Sequence, residues 1–269
     1  MFENNKKLID FSFNNKYMNN ININNMRGMF SGCISLTNIS FYPFKGENVT
    51  DISFLFSDCV SLKWLNFSTF NSNSLIDMNN LFNNCISLSY INISNLITKA
   101  VRNMSCIFSN CISLSSIDLI NVSTQNAVDM SKMYYNCSCL KTLNLSNFKT
   151  HNVSRMNYMF YYSYLLTSLD LSNFDTYNVY DMTKMFYNCF SLKTLSLKYF
   201  NTQNVNSMIG MFFICNSLTS LDLSNFNTKN VNNMLSMFST CYSLTSLDLS
   251  KFNTKNVNDK SYNFLIVVH

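Results

Sequence analysis

LTSLDLSNFNTKNVNNMLSMFSTCYS, residues 218–243, is one unit of a pattern that runs through the whole chain. Leu218, Leu221 and Leu223, followed by Phe226, alternate as a short strand with an apolar inner side, leaving Ser220, Asp222 and Ser224 outward. The period then changes. Val231, Met234, Met237, Phe238 and Cys241 fall at intervals of three and four, which predicts a short helix of about three turns with one buried stripe. Asn230 stands where an N-cap belongs, as do its equivalents Asn48, Asn126, Asn152, Asn178, Asn204 and Asn256. Asp51, Asp77, Asp129, Asp181 and Asp259 follow three residues beyond that slot, where a carboxylate suits the first turn of a helix.

Outward from this unit, the spacing is constant. Cys33, Cys59, Cys85, Cys111, Cys137, Cys189, Cys215 and Cys241 differ by 26 or 52, and Ser163 fills the missing rung. The leucines from Leu36 to Leu244 and the aromatics from Phe30 to Phe238 keep the same 26-residue step through nine units. One unit alone buries too little to offset the ordering of its backbone, so the units must stack. Leu8, Phe11 and Phe13 repeat the strand spacing 28 residues before Leu36, Ile39 and Phe41. Residues 1–35 therefore read as an N-terminal capping repeat, 36–243 as eight regular repeats, and 244–269 as a degenerate C-terminal capping repeat in which Lys260 and Asn263 replace methionines while Phe264 and Val267 keep their slots.

A hydrophobic content of 47% with 12% charged residues belongs to a core-forming chain. Four glycines and one proline leave the turns to Asn, Ser and Thr. The net charge of +5 is scattered, which gives no footprint for nucleic acid. The opening MFENNKKLIDFSF lacks the apolar run of a secretory leader. No segment reaches the ~20 apolar residues that would span a bilayer, so membrane insertion is not expected.

The strand phrase LxxLxL followed by MFxxCxSL resembles the BspA-like leucine-rich repeat surface proteins of bacteria and some protozoa. It stands here as MFSGCISL (29–36), MFYNCFSL (185–192) and MFSTCYSL (237–244), with LDLSNFDTYNV (169–179) and LDLSNFNTKNV (221–231) in register. The resemblance implies an α/β solenoid of the leucine-rich-repeat type, a right-handed superhelix with a parallel β-sheet on one face and short helices on the other. It also implies adhesion or contact with host or matrix proteins at a cell surface, and supplies no catalytic residues. The leaderless start and thiol-rich composition point instead to an intracellular scaffold, so cell surface and cytoplasm both stand as expected compartments.

Catalysis, cofactors and metal ligation are not expected. His151 lies in a repeat turn and His269 at the C-terminus, neither with a serine or cysteine partner, and no CxxC pair occurs. The ladder cysteines read as reduced core residues, with Cys106 and Cys139, outside the ladder, as the more exposed thiols. A polar line runs down the sheet through Ser40, Asn66, Asn92, Asp118, Asn144, Asp170, Ser196, Asp222 and Asp248. Asp170, Asp222 and Asp248 are its candidate contacts for a basic partner or a calcium ion, beside the simpler reading of a solvated sheet face. Trp64 and Tyr90 occupy equivalent outward positions on adjacent strands, with Tyr42 nearby, and form the candidate hot spot for a protein loop or a sugar ring. Tyr158, Tyr161, Tyr162 and Tyr164 surround the unit that lost its cysteine, where repacking around Ser163 explains them equally well.

Overall fold

In a computed structural model, residues 1–14 and 22–258 are described. Asp259, Lys260, Asn263, Phe264, Val267 and His269, given roles above, lie outside them. The repeats form a solenoid around one contiguous core running from Phe13 to Val257. Six three-residue strands are regular: β1 (Asp10–Ser12), β2 (Asn38–Ser40), β3 (Trp64–Asn66), β4 (Tyr90–Asn92), β5 (Ser168–Asp170) and β6 (Thr194–Ser196). They pair in parallel as β1 with β2, β3 with β4 and β5 with β6. Leu65 opposes Ile91 and Leu169 opposes Leu195, while Phe11 opposes Ile39, so the first register is 28 residues and the others 26. A second ladder of single parallel bridges runs from Asn25 and Asp51 through Asp129 and Arg155 to Ser207 and Asn233.

The face expected to carry helices carries none among the described residues. Its backbone alternates between two partners. The amides of Ile52, Phe54, Phe56 and Asp58 donate to Asp77, Asn79, Leu81 and Asn83 of the next rung at 2.8–3.0 Å. The amides that alternate with them, Leu55, Ser57 and, after Asp58, Cys59, donate back to Ile52, Phe54 and Phe56 at 3.0–3.2 Å, closing consecutive tight turns. Such a coil needs two left-handed residues four apart in each rung, as at Asn80 (φ 54°) and Asn84 (φ 61°), or Lys132 (φ 57°) and Asn136 (φ 54°). Left-handed backbone costs an L-residue roughly 1–2 kcal/mol, least for Asn and Asp. In the first rung Gly28 (φ 58°) and Gly32 (φ 70°) occupy the two slots at no such cost.

The helical reading failed because this coil also turns every third or fourth side chain inward. Ile52, Leu55, Phe56 and Cys59 are all buried, which satisfies a helical template without a helix. The supposed caps have other work. Asn126, Asn152, Asn178, Asn204, Asn230 and Asn256 donate their side-chain amides to carbonyls 27 residues back, at 2.6–2.9 Å. The aspartates of the supposed first turn sit on the bridge ladder. There Asp51, Asp77, Asp129 and Asp181 each accept the amide of the second residue on at 2.8–2.9 Å.

Ladders of identical side chains fill the interior. The rings of Phe30, Phe56, Phe82, Phe108, Tyr134, Phe160, Phe186, Phe212 and Phe238 stack at centroid distances of 5.5–5.8 Å, and Phe2 stacks on Phe30 at 5.5 Å. Each ladder thiol donates to the carbonyl of the aromatic one rung earlier, Cys59 to Phe30 at 3.2 Å and Cys85 to Phe56 at 3.1 Å. The Ser163 hydroxyl makes the same bond to Tyr134 at 3.3 Å, which is why serine fills that rung. On the opposite side of the rung, the buried Thr124 hydroxyl donates to the Lys149 carbonyl at 2.9 Å and accepts the Lys149 amide at 2.7 Å. Thr176, Thr202 and Thr228 repeat both bonds.

These contacts predict a far-UV circular dichroism spectrum without the helical double minimum; a strong helical signal would contradict the coil of turns. Phe108→Ala should lower stability by about 3–5 kcal/mol through the gap left in the stack. Tyr134→Phe should raise it by about 1 kcal/mol, because the buried Tyr134 hydroxyl has no hydrogen-bond partner. Urea unfolding of both variants measures the two effects.

Candidate interaction surfaces

The regular strands set the first surface. Trp64 and Tyr90 open β3 and β4 and are Cα partners in the parallel ladder. Strand alternation buries Leu65 and Ile91 and turns both rings to solvent, where Trp64 is 51% and Tyr90 56% exposed. Among the described residues the two rings make no stacked pair with each other. Tyr42, 67% exposed, stands just beyond β2 on the lip of an open groove of about 810 Å³. Pro43, Lys45, Ser94, Asn95 and Lys99 also line it. Gly46, in left-handed backbone, lets the Phe70 ring pack where a β-carbon would stand, which fixes the loop carrying Lys45 and Glu47. Tyr90 lines a separate groove of about 490 Å³ with Asn92, Ser116 and Asp118. The three rings thus share one region, with Tyr42 and Tyr90 beside different hollows.

The acidic line holds the turns that follow it. Asp170, Asp222 and Asp248 accept the amides of Ser172, Ser224 and Ser250 at 2.9 Å, and Asn66, Asn92 and Asn144 do the same in their rungs at 3.0 Å. The Ser172 amide holds Asp170, and the Ser224 amide Asp222, below the usual carboxylate range, with Lys251 also favouring the charged Asp222. For Asp248 the Ser250 hydroxyl leads, followed by the Ser250 amide. Asp170 and Asp222 border a shallow groove of about 450 Å³ with Ser168, Thr194 and Ser220, while Asp248 lies outside it. Among the described residues no cluster of three or more His, Cys, Asp or Glu is arranged to hold a metal ion.

The remaining candidates separate by burial. Eight ladder cysteines are buried, Cys106 and Cys139 are half-buried, and all ten are free thiols. Burial pushes Cys241 up to about 11 and Cys189 to about 12. His151 is exposed, its Nε2 3.1 Å from the Asn152 side-chain amide. No helix of the described residues is long and apolar enough to cross a membrane.

A second surface was only half seen in the sequence. Tyr135, Tyr161, Tyr187 and Phe213 stack along the turn face at 4.7, 4.8 and 4.6 Å. Tyr164 and Phe190 stack beside them at 5.0 Å. The signal was present as a column, since the same slot holds Ser31, Ser57, Asn83, Ser109 and Ser239 in other rungs.

The family described as "Mycoplasma protein of unknown function, DUF285" matches residues 1–116, 50–168 and 165–267. Among curated proteins none matches. A leucine-rich repeat protein of T. pallidum is similar at 18% identity over 63% of this chain and 72% of its own, with a TM-score of 0.39. One from Bacteroides ovatus is 17% identical over 92% of this chain and 75% of its own, with a TM-score of 0.38. A leucine-rich cell surface protein of Faecalibacterium prausnitzii is 16% identical over 85% and 78%, with a TM-score of 0.29.

Two predictions follow from the titrating groups. Asp170, Asp222 and Asp248 ionise more readily when folded, so their contribution is complete above the ordinary value of 3.8 and is lost as pH falls through the lower folded values. Replacing all three with Asn, which already serves in three other rungs, should flatten the fall of the thermal midpoint below about pH 4; an unchanged acid profile would remove these carboxylates from the account. The thiols act in the opposite sense. Their raised folded values keep stability intact below the unfolded value of about 8.5 and erode it as pH rises toward 11 and 12. A thiol reagent at neutral pH should reach Cys139 first and Cys106, whose thiol burial also pushes up, more slowly, leaving the other eight of ten until unfolding.

Proposed function

Because this chain belongs to the DUF285 family of Mycoplasma proteins of unknown function, a family whose description names no activity, we propose from the chain's own surface that it is a non-catalytic protein-interaction module. The observation that supports this is the pair Trp64 and Tyr90, two large rings held open to water on adjacent strands. In the rungs from Ser116 to Ser246 that slot carries only Ser or Thr. A solvent-facing Trp beside a Tyr is the composition of a binding hot spot, large in area and low in conformational cost. Tyr42 and the groove beside it extend the contact, and Asp170, Asp222 and Asp248 offer a separate acidic edge to a basic segment. The partner is a protein of the host or extracellular matrix, with a sugar ring as the other ligand that open aromatic faces fit. In this reading the chain acts at a cell surface in adhesion, as BspA-like repeats do, with 1–35 and 244–269 closing the ends of the regular array.

A second reading is an intracellular scaffold. It is favoured by the ten unpaired thiols, which suit a reducing compartment.

Substituting both Trp64 and Tyr90 with Ser should weaken partner binding at least tenfold, the scale of losing one hot spot, with the thermal unfolding curve nearly unchanged. A large loss of stability would instead make the rings part of the fold. Protease shaving of intact cells separates the compartments: release of peptides from this chain supports adhesion, and none, while a known surface protein is cut, supports the scaffold.

A further inference from the structure

One hydrogen-bonding column of the stack breaks at the groove beside Tyr42. Thr98, Thr124, Thr176, Thr202 and Thr228 each use one hydroxyl to serve the residue 25 further on, accepting its amide and donating to its carbonyl at 2.7–3.1 Å. Ser72 holds the same slot one rung before Thr98. Its hydroxyl turns the other way, donating to the Val49 carbonyl of the preceding rung and accepting the Ser74 amide at 3.2 Å. Ile97 stands where Ser123 and Lys149 stand in the next two rungs, yet its amide and carbonyl make no hydrogen bond among the described residues. Half-buried, Ile97 lines the groove of about 810 Å³ together with Asn71 of the rung before it. Two cations share that groove. Lys45 lies 4.0 Å from Glu47, while Lys99 makes no ion pair among the described residues.

We propose that this groove binds an acidic saccharide, a uronic-acid unit whose hydroxyl takes the missing threonine's place at Ile97 and whose carboxylate meets Lys99. The other rungs define the group that the gap lacks: a single oxygen that accepts an N–H and donates to the C=O of the same residue. A sugar hydroxyl does both, whereas a peptide backbone divides the two between separate atoms. Tyr42, 67% exposed at the lip, offers the negative face of its ring to the C–H side of a sugar. The unshared Lys99 selects a carboxylate over a neutral unit, and the volume lies within the range of small-ligand sites. The proposal rests on the reading of the chain as a binding module and gives it a ligand apart from the Trp64 and Tyr90 contact.

The test titrates the full chain, by isothermal calorimetry, with hyaluronan hexasaccharide, with the same hexasaccharide methyl-esterified at its carboxyls, and with a peptide of four Glu-Ser repeats. The acid should bind at least tenfold more tightly than the ester at low salt, with the difference shrinking as salt rises. Lys99→Gln should remove that preference. Ser72→Thr, which installs the residue found in that slot from Thr98 to Thr254, should raise the thermal midpoint, slow amide exchange at Ile97 and weaken saccharide binding about tenfold, the scale of two hydrogen bonds. In the unaltered chain the acid alone should slow that same amide. Trp64→Ser with Tyr90→Ser should leave saccharide binding unchanged. Should Ser72→Thr fail to fold, Lys99→Gln decides alone. Equal binding of acid and ester, tighter binding of the peptide, or undiminished binding by a Ser72→Thr chain whose Ile97 amide is protected overturns the proposal. No saccharide binding, while the Trp64 and Tyr90 pair still governs partner binding, overturns it and leaves the interaction reading standing.

Discussion

Everything in this solenoid depends on alternate backbone amides finding a carbonyl in the next rung. Phe82 donates to Ile107 at 2.9 Å and Asn84 to Ser109 at 2.8 Å, while Cys85 between turns closes back on Phe82 at 3.1 Å. A helix satisfies its own backbone; this coil does not, and its polar groups sit beside a core of stacked phenylalanines. An unpaired buried amide or carbonyl is costly, so no rung is complete alone and every inner rung must have the same length. That requirement accounts for the 26-residue step kept from Asn25 to Asn233, while the 28-residue step from Phe11 to Ile39 shows that an end rung can carry two more residues and still pair. It also explains the tolerated cost of left-handed Phe54, Cys106 and Ile214, whose backbone angles are needed to keep the alternation.

The side-chain ladders are the second tier of the same accounting. The Phe56 carbonyl takes the Cys59 amide within its own rung and the Cys85 thiol from the next, so a weak donor is enough there. The Thr and Asn columns do the equivalent at the other corners, Thr124 serving both groups of Lys149 and Asn173 reaching three carbonyls of the rung before. Sulfur chemistry is not required of the cysteine slot, and Ser163 shows as much.

The period and the inward leucines were legible because each leaves a signal at fixed spacing; the strands were legible in part, since 194–196 form one and the equivalent 220–222, in the unit that displays the pattern, do not. The turn face was not, because intervals of three and four among Ile52, Leu55, Phe56 and Cys59 arise from a helix and from this coil alike. The distinguishing residues were the non-apolar ones. MNNLFNNCISL (78–88) holds four asparagines, poor helix formers that tolerate left-handed backbone, and two of them, Asn80 and Asn84, stand in the columns of Gly28 and Gly32 two rungs later. Asp170, Asp222 and Asp248 were recognisable as a line but not as the turn residues they are, because the amide each receives comes from two residues further along its own chain.

The two candidate surfaces differ in legibility for a related reason. Trp64 and Tyr90 break a column of small polar residues and so announce themselves on the sheet, where alternation fixes which side is wet. Tyr135, Tyr161 and Tyr187 break a column just as clearly, but on a face whose inward and outward positions a helical template assigns wrongly. Contacts in a solenoid reach little beyond the neighbouring rung. A column can therefore change its chemistry over three or four rungs without disturbing the register elsewhere, as the belt does between Tyr135 and Phe213 while the inner aromatic stack, Tyr134 included, keeps its 5.5–5.7 Å spacing from Phe108 to Phe238. Function on such a frame is to be sought where a column departs from its own habit, because a residue that repeats in every rung is already accounted for by the stack.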